Sequence, residues 1–220
     1  MFGPDPLFRD RADAGRRLAA ALAAKALERP VVYALPRGGV ALGAEIARAL
    51  NAPLDLVLVR KLGAPGQPEL AIGAIAEGDP PELVVNDSLV VATGTTAAEL
   101  ATLRQRETAE IASRRQRFLA GRAQTDPKNR TAIVVDDGLA TGATARAALR
   151  ALRRRDPARL ILAVPLAPPE TIASLQDEAD EILCLRETDI PWGVGGCYRD
   201  FHQLTDTEVL ELLRGVGVAP

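Results

Sequence analysis

Two adjacent carboxylates, Asp136 and Asp137, stand at the head of a run of small residues, Gly138-Leu139-Ala140-Thr141-Gly142-Ala143-Thr144. Acids side by side can accept hydrogen bonds from two vicinal hydroxyls, or meet a hard cation. They cannot grip a phosphate, which they would repel. The run that follows can: Gly138 and Gly142 let the backbone turn sharply and approach a ligand, and Thr141 and Thr144 add hydroxyls. Acids for hydroxyls and amides for phosphate together suit a sugar phosphate. An Asp-Gly pair alone would be read as a helix cap, but a cap needs one acid and no second glycine four residues on. A Walker A loop needs Gly-Lys-Ser/Thr, whereas Ala143 follows Gly142, and the Gly-x-Gly-x-x-Gly dinucleotide fingerprint is absent.

The flanks of this loop position it. Ile133, Val134 and Val135 form a continuous apolar, β-branched run, as expected of a strand covered on both faces of a parallel sheet. From Thr144 to Arg154 good helix formers follow, so the helix start contributes free N–H groups and the positive end of its dipole. A second strand–loop–helix unit runs through Val31-Val32-Tyr33-Ala34-Leu35 to Pro36-Arg37-Gly38-Gly39 and a helical pattern over Val40 to Leu50. By itself Gly38-Gly39 is a turn; the Arg37 guanidinium beside it suits anionic oxygens. A third strand, Leu54 to Val59, delivers Arg60 and Lys61 to a Gly/Pro loop ending at Pro68, either as two solvated cations or as ligand contacts. Leu70 to Ala76 and Leu83 to Asn86 read as a strand pair, with Gly78 to Pro81 turning between them.

The rest of the chain fills out an α/β pattern. Leu7 to Leu27 is an Ala- and Arg-rich amphipathic helix, and Thr95 to Arg122 is a long Arg-rich helix. With Glu99, Glu107 and Glu110 interleaved, that helix reads as a solvated face with weak ion pairs, or as an anion-binding one. Arg159 to Pro165 is a core strand, Pro168 to Asp177 a helix, Glu181 to Leu185 a last strand and Asp206 to Arg214 a tail helix. Strands alternating with helices predict an α/β fold, a mostly parallel twisted sheet flanked by helices, in one domain over 1–220. Residues 186–220 form a C-terminal extension. In it, Ile190 to His202 gathers Trp192, Tyr198 and Phe201 in a glycine-rich stretch that either stacks on a planar base or packs the tail helix.

Composition narrows the function class. A net charge of −2 gives no global attraction to nucleic acid, and no stable nucleic-acid partner is expected. No apolar run approaches the ~18 residues that span a bilayer, and Met1-Phe2-Gly3-Pro4 does not read as a signal peptide, so a cytoplasmic protein without a membrane partner is expected. Cys184 and Cys197 have no metal-ligand spacing and read as free thiols. With His202 the only histidine, neither a Ser-His-Asp triad nor a histidine-rich metal site is expected.

In the strand, Asp136-Asp137, the four loop residues, Gly142 and Thr144, the chain resembles the type I phosphoribosyltransferases and their phosphoribosyl pyrophosphate (PRPP) signature. The resemblance implies that Asp136 and Asp137 hold the ribose hydroxyls and that Gly138 to Thr144, chiefly from Ala140 on, wrap the 5′-phosphate. It implies Mg²⁺ carried mainly by PRPP, touching Asp136 and Asp137 indirectly. Pro36-Arg37-Gly38-Gly39 would receive pyrophosphate, with a non-proline cis peptide expected at Pro36–Arg37. Arg60 and Lys61 would lie in a mobile flap, as in adenine-type members, which carry Arg-Lys, a Gly and Pro-Gly there. Those members use a Glu after the flap, and Glu77 falls close to it, either in that role or as an exposed turn acid.

Members acting on 6-oxopurines place an Asp where this chain has Ala140, so that class is disfavoured. The implied activity is Mg- and PRPP-dependent transfer of 5-phosphoribosyl to a nitrogenous base or related acceptor, within nucleotide metabolism. The hood that recognises the acceptor in the family would be built from residues 186–220 and from Phe2 to Arg9. A homo-oligomer, with a dimer favoured, is the expected assembly. The alternative is a regulator that binds PRPP or a nucleotide and catalyses little.

Overall fold

The computed structural model describes residues 6–119 and 124–216. Eight strands and seven helices follow in the order α1 (Arg11–Ala23), β1 (Val31–Ala34), α2 (Gly38–Leu50), β2 (Leu54–Leu56), β3 (Val59–Ala64), β4 (Gln67–Ala76), β5 (Glu82–Val85), α3 (Asp87–Ala92), α4 (Ala97–Leu119), β6 (Thr131–Val135), α5 (Ala143–Arg153), β7 (Arg159–Ala167), α6 (Pro169–Leu175), β8 (Glu181–Glu187) and α7 (Asp206–Gly215). Five strands form an all-parallel sheet in the order β2-β1-β6-β7-β8, and β3-β4-β5 form a separate antiparallel sheet. The fold is the expected α/β one.

Side-chain alternation explains why the central strands are apolar without a break. Val32, Ile133 and Val135 face one way, into a core with Leu18 and Leu22 of α1 and Leu42 and Ile46 of α2. Val31, Tyr33, Ala132 and Val134 face the other way, onto Ala145, Leu149 and Leu152 of α5 and Ile172 of α6. With a core on each face, every residue of β1 and β6 is buried. Helix α5 buries its Ala/Leu face, while Arg146 and Arg150 both reach Glu178 and Arg153 pairs with Asp180. Gly15 lets α1 lie close on α2, since a Cβ there would meet the Leu42 backbone.

Several elements depart from the sequence reading. Helix α1 starts only at Arg11, because Asp10 caps it through the Asp13 amide, and Leu7 and Phe8 instead bond the carbonyl of Cys197. The expected strand Leu54 to Val59 is split: Leu54–Leu56 joins the parallel sheet, whereas Val59 opens the antiparallel one. The expected Arg60–Pro68 loop is a hairpin, with Arg60 and Lys61 inside β3 opposite Ile75 and Ala74. Pro65-Gly66 makes its turn, Gly66 at φ +77°, and the backbone crowds at Gly63, where a Cβ would strike Pro68. Helix α3, capped by Asn86, has no counterpart in the sequence reading. The Gly78–Pro81 turn is present, with Asp79–Pro80 cis. Of the expected Thr95–Arg122 helix, Ala97–Leu119 is formed and Arg122 lies outside the described residues.

Candidate functional site

The chain turns from β1 towards β2 on one side and later returns to place β6 on the other. Strand order therefore reverses between β1 and β6, and loops leaving the carboxyl ends of these neighbours diverge around a crevice. Those two loops are Pro36–Gly39 and Asp136–Thr144, so the topology brings together two motifs a hundred residues apart. They also interlock. The Leu35 amide donates to the Val135 carbonyl (2.9 Å), and the Pro36–Arg37 peptide is cis, as expected. A Cβ on Gly38 would run into the Asp137 carboxylate, and one on Gly39 into the Val135 carbonyl. The pair of glycines is thus set by the approach of the acidic loop, not by a turn.

Helices α1, α3, α4 and α7 start with side-chain caps from Asp10, Asn86, Thr96 and Thr205. Helices α2 and α5, which start at the crevice, have none, and neither does α6. Gly142 opens α5 at φ +72°, where a left-handed backbone favours glycine, and the amides from Ala140 to Thr144 find no acceptor among the described residues. Thr171 of α6 donates to the Ala140 carbonyl (2.6 Å), and the Leu139 amide to Leu166 (3.0 Å), which hold the loop open from behind. An uncapped helix start with a row of free N–H groups is a receptor for an anion.

Asp136 accepts the Asp137 amide (2.9 Å). Burial pushes the Asp136 carboxyl well above its ordinary pKa, and the neighbouring Asp137 charge pushes it further, with Lys61 and Arg11 opposing. Burial likewise raises Asp137, against the pull of Arg11. Two half-buried acids raised in this way have unmet electrostatic demand, which a ligand hydroxyl or a cation would satisfy.

The three cations expected at pyrophosphate fare differently. Arg37 reaches Asp206 at the start of α7 (3.7 Å), a carboxylate shared with Arg117 (3.1 Å). Arg60 is held by Glu107 of α4 (2.8 Å), itself buried and also bonded by Arg106. Lys61 is exposed, has no carboxylate partner among the described residues, and lies near enough to Asp136 to ease its ionisation. The solvated-face reading of α4 is corrected at two places, since Glu107 and Arg115 point inward. Arg115 reaches both Glu77 carboxylate oxygens through Nη1 (2.9 and 2.8 Å) and Asp55 through Nη2 (3.4 Å).

Glu77, which also accepts the Leu58 amide (3.1 Å), is largely buried against Arg115 and is not an exposed turn acid. It lines a separate cavity of about 480 Å³ with Arg115, Arg154 and Arg155, which shares no residue with the acidic loop.

Sequence reasoning missed Arg11. Its Nε donates to Asp137 Oδ2 (2.8 Å), its Nη1 to the His202 carbonyl (2.8 Å), and its guanidinium lies 3.8 Å over the Phe201 ring. Tyr198 donates through its hydroxyl to the Asp137 carbonyl (2.6 Å) and packs between Phe8 and Phe201. Tyr198 and Phe201 join the core on the α1 face of the parallel sheet instead of packing the tail helix, whose Val209 and Leu213 belong to another core, and Trp192 stands exposed. Of the expected N-terminal hood residues, Phe2 to Asp5 lie outside the described residues.

Comparison with known proteins agrees with this geometry. The sequence model described as "Phosphoribosyl transferase domain" matches residues 8–202, and the chain belongs to that family. A Mycobacterium tuberculosis H37Rv protein named "Putative phosphoribosyl transferase" is 44% identical over 207 residues, which is 94% of this chain and 46% of that protein. The chain thus spans about half the length of the curated relatives it matches. The crystal structure of TT1426 from Thermus thermophilus superposes with a TM-score of 0.78 at 42% identity, covering 94% of this chain and 97% of that one. AQ2163 from Aquifex aeolicus shares the fold at 14% identity, with a TM-score of 0.52 over 95% and 87% of the two chains. Among the described residues, no helix is long and apolar enough to cross a membrane.

Proposed function

We propose that this protein transfers the 5-phosphoribosyl group of PRPP to a nitrogenous acceptor, releasing pyrophosphate. The observation that carries the reading is the joining of two uncapped helix starts and an acid pair at one topological switch point. On this reading the free amides of Ala140 to Thr144 bind the 5′-phosphate, and Asp136 and Asp137 accept hydrogen bonds from the ribose hydroxyls. The Pro36–Gly39 loop and the start of α2 receive pyrophosphate, with Lys61 of the β3–β4 hairpin stabilising the charge that develops as it leaves. The family implies Mg²⁺, and the donors present fit it: two carboxylates are hard ligands suited to an ion whose other oxygens come from PRPP. When bound, Mg²⁺ would screen the anionic leaving group. On this reading the β3–β4 hairpin closes over the site and keeps water from the reacting C1. Ala140 leaves no acid for a 6-oxopurine, so another base or base-like acceptor is proposed. A homodimer in the cytoplasm is the proposed setting.

Incubation with PRPP, Mg²⁺ and a panel of nucleobases, followed by pyrophosphate release, tests the reading; release dependent on one acceptor is expected. Failure to bind PRPP calorimetrically would sink it. One observation favours a PRPP-binding regulator instead, namely that Arg60 is held by the buried Glu107. PRPP binding without release for any acceptor is the signature of that second reading.

A further inference from the structure

We infer that Arg11 of α1 is the positioning residue for the ribose-binding acid Asp137, and that it locks this acid to the C-terminal segment that borders the crevice. The inference rests on the PRPP reading and adds to it a residue lying 126 positions from the acidic motif. The geometry is that of a fixed fork. Arg11 is nearly buried, its side chain 10% exposed against 15% for Asp137. Its Nε meets Asp137 Oδ2 at 2.8 Å, its Nη1 meets the His202 carbonyl at 2.8 Å, and Phe201 covers the guanidinium face at 3.8 Å. A planar guanidinium held at two edges and one face has no rotational freedom to lose when a ligand arrives.

Asp137 is confined on its other sides as well. Gly38 presses on the carboxylate with no room for a Cβ, and Tyr198 donates to the Asp137 carbonyl. The engaged Oδ2 keeps a lone pair, and Oδ1 is left for a hydroxyl. The charged and titratable groups facing this acid are therefore Arg11 from α1, Asp136 from its own loop and Tyr198 from the C-terminal segment, with Lys61 of β3 acting on Asp136. Arg11 is the one cation that touches Asp137 among the described residues. It fixes the direction of the carboxylate.

The test compares wild type with Arg11→Gln and Arg11→Lys. In the ligand-free proteins at one fixed pH, ¹³C relaxation should show the Asp137 side chain rigid in wild type, mobile in Arg11→Gln and intermediate in Arg11→Lys. In calorimetry near neutral pH, Arg11→Gln should bind Mg-PRPP roughly 10- to 100-fold more weakly. Arg11→Lys should bind several-fold more weakly, because an ammonium cannot hold both partners and the ring at once. A folded Arg11→Gln with a rigid Asp137 side chain overturns the assignment. If Arg11→Gln does not fold, wild-type affinity in Arg11→Lys overturns it. A wild-type protein that does not bind PRPP refutes the proposed function, and the relaxation of the Asp137 side chain then decides the Arg11–Asp137 assignment alone.

Discussion

At the scale of single residues, neighbouring cations divide between one that serves the fold and one that the proposed reaction uses. Arg60 and Lys61 are neighbours in sequence, yet alternation along β3 sends Arg60 to the buried Glu107 and leaves Lys61 exposed towards Asp136. Arg60→Ala should lower stability by about 1–2 kcal/mol, because Glu107 would keep only Arg106, while the partial exposure of Arg60 limits the loss. Lys61→Ala should leave the melting temperature unchanged and lower kcat by about 100-fold with little change in PRPP affinity. Thermal melts with steady-state kinetics check both, and a Lys61→Ala enzyme of undiminished kcat would remove Lys61 from the mechanism.

The acids and glycines of the crevice were legible in the sequence because they are contiguous. Arg11, Glu107 and Arg115 were not, because their partners lie far along the chain. A signal existed nonetheless. Arg11, Ala14, Leu18 and Leu22 fall on the buried face of α1, and Leu103, Glu107 and Ile111 on that of α4, so a charge in helical register with the apolar stripe marks an internal partner.

At the scale of elements, the two crevice loops behave as one unit, and Gly38 is where this can be tested. Gly38 begins α2, so alanine there would gain up to ~1 kcal/mol in helix propensity. Against that gain stands the Asp137 carboxylate, which Arg11 and the loop prevent from moving aside. Overpacking of this kind costs about 1–3 kcal/mol, so it should win. Gly38→Ala is expected to melt lower and to bind PRPP about 10-fold more weakly, read by calorimetry and thermal denaturation; a more stable variant with unchanged affinity would show the loops to be independent. The β3–β4 hairpin teaches the complementary lesson. Gly63, Pro65, Gly66 and Pro68 punctuate the segment as a loop does, and only pairing with β4, flanked in turn by β5, makes it a strand. Tertiary pairing overrode local propensity there. In β1 and β6, by contrast, apolar runs rich in β-branched residues read directly as covered strands.

At the scale of the whole molecule, two populations of carboxylates give opposite pH dependences. Asp136, Asp137 and Glu77 have folded pKa values raised, with burial as the first cause in each. A raised acid binds its proton more tightly in the folded state, so stability grows as pH falls through the folded pKa towards the ordinary carboxylate value. Glu178 and Asp180 are lowered, first by hydrogen bonds from Arg150 and Arg153, and Glu181 first by Lys25. Their contribution is full above the ordinary value and is lost as pH falls through the folded one. Stability should therefore rise from neutral pH into mildly acidic conditions, pass through a maximum, and collapse below about pH 4. Asp136→Asn retains an acceptor for the Asp137 amide while removing the buried charge. It should add on the order of 1 kcal/mol at neutral pH, flatten the rise on acidification, and abolish the hydroxyl site that the proposed reaction needs. Glu178→Gln breaks charge-assisted bonds tying α5 to the segment after α6, and should cost about 1.5–3 kcal/mol at neutral pH and soften the acid collapse. Urea unfolding of wild type and both variants across pH 3 to 8 measures all three curves. An Asp136→Asn protein less stable than wild type at neutral pH would mean that the acid pair is not under electrostatic stress without a ligand, and would remove the physical basis for its affinity for a sugar.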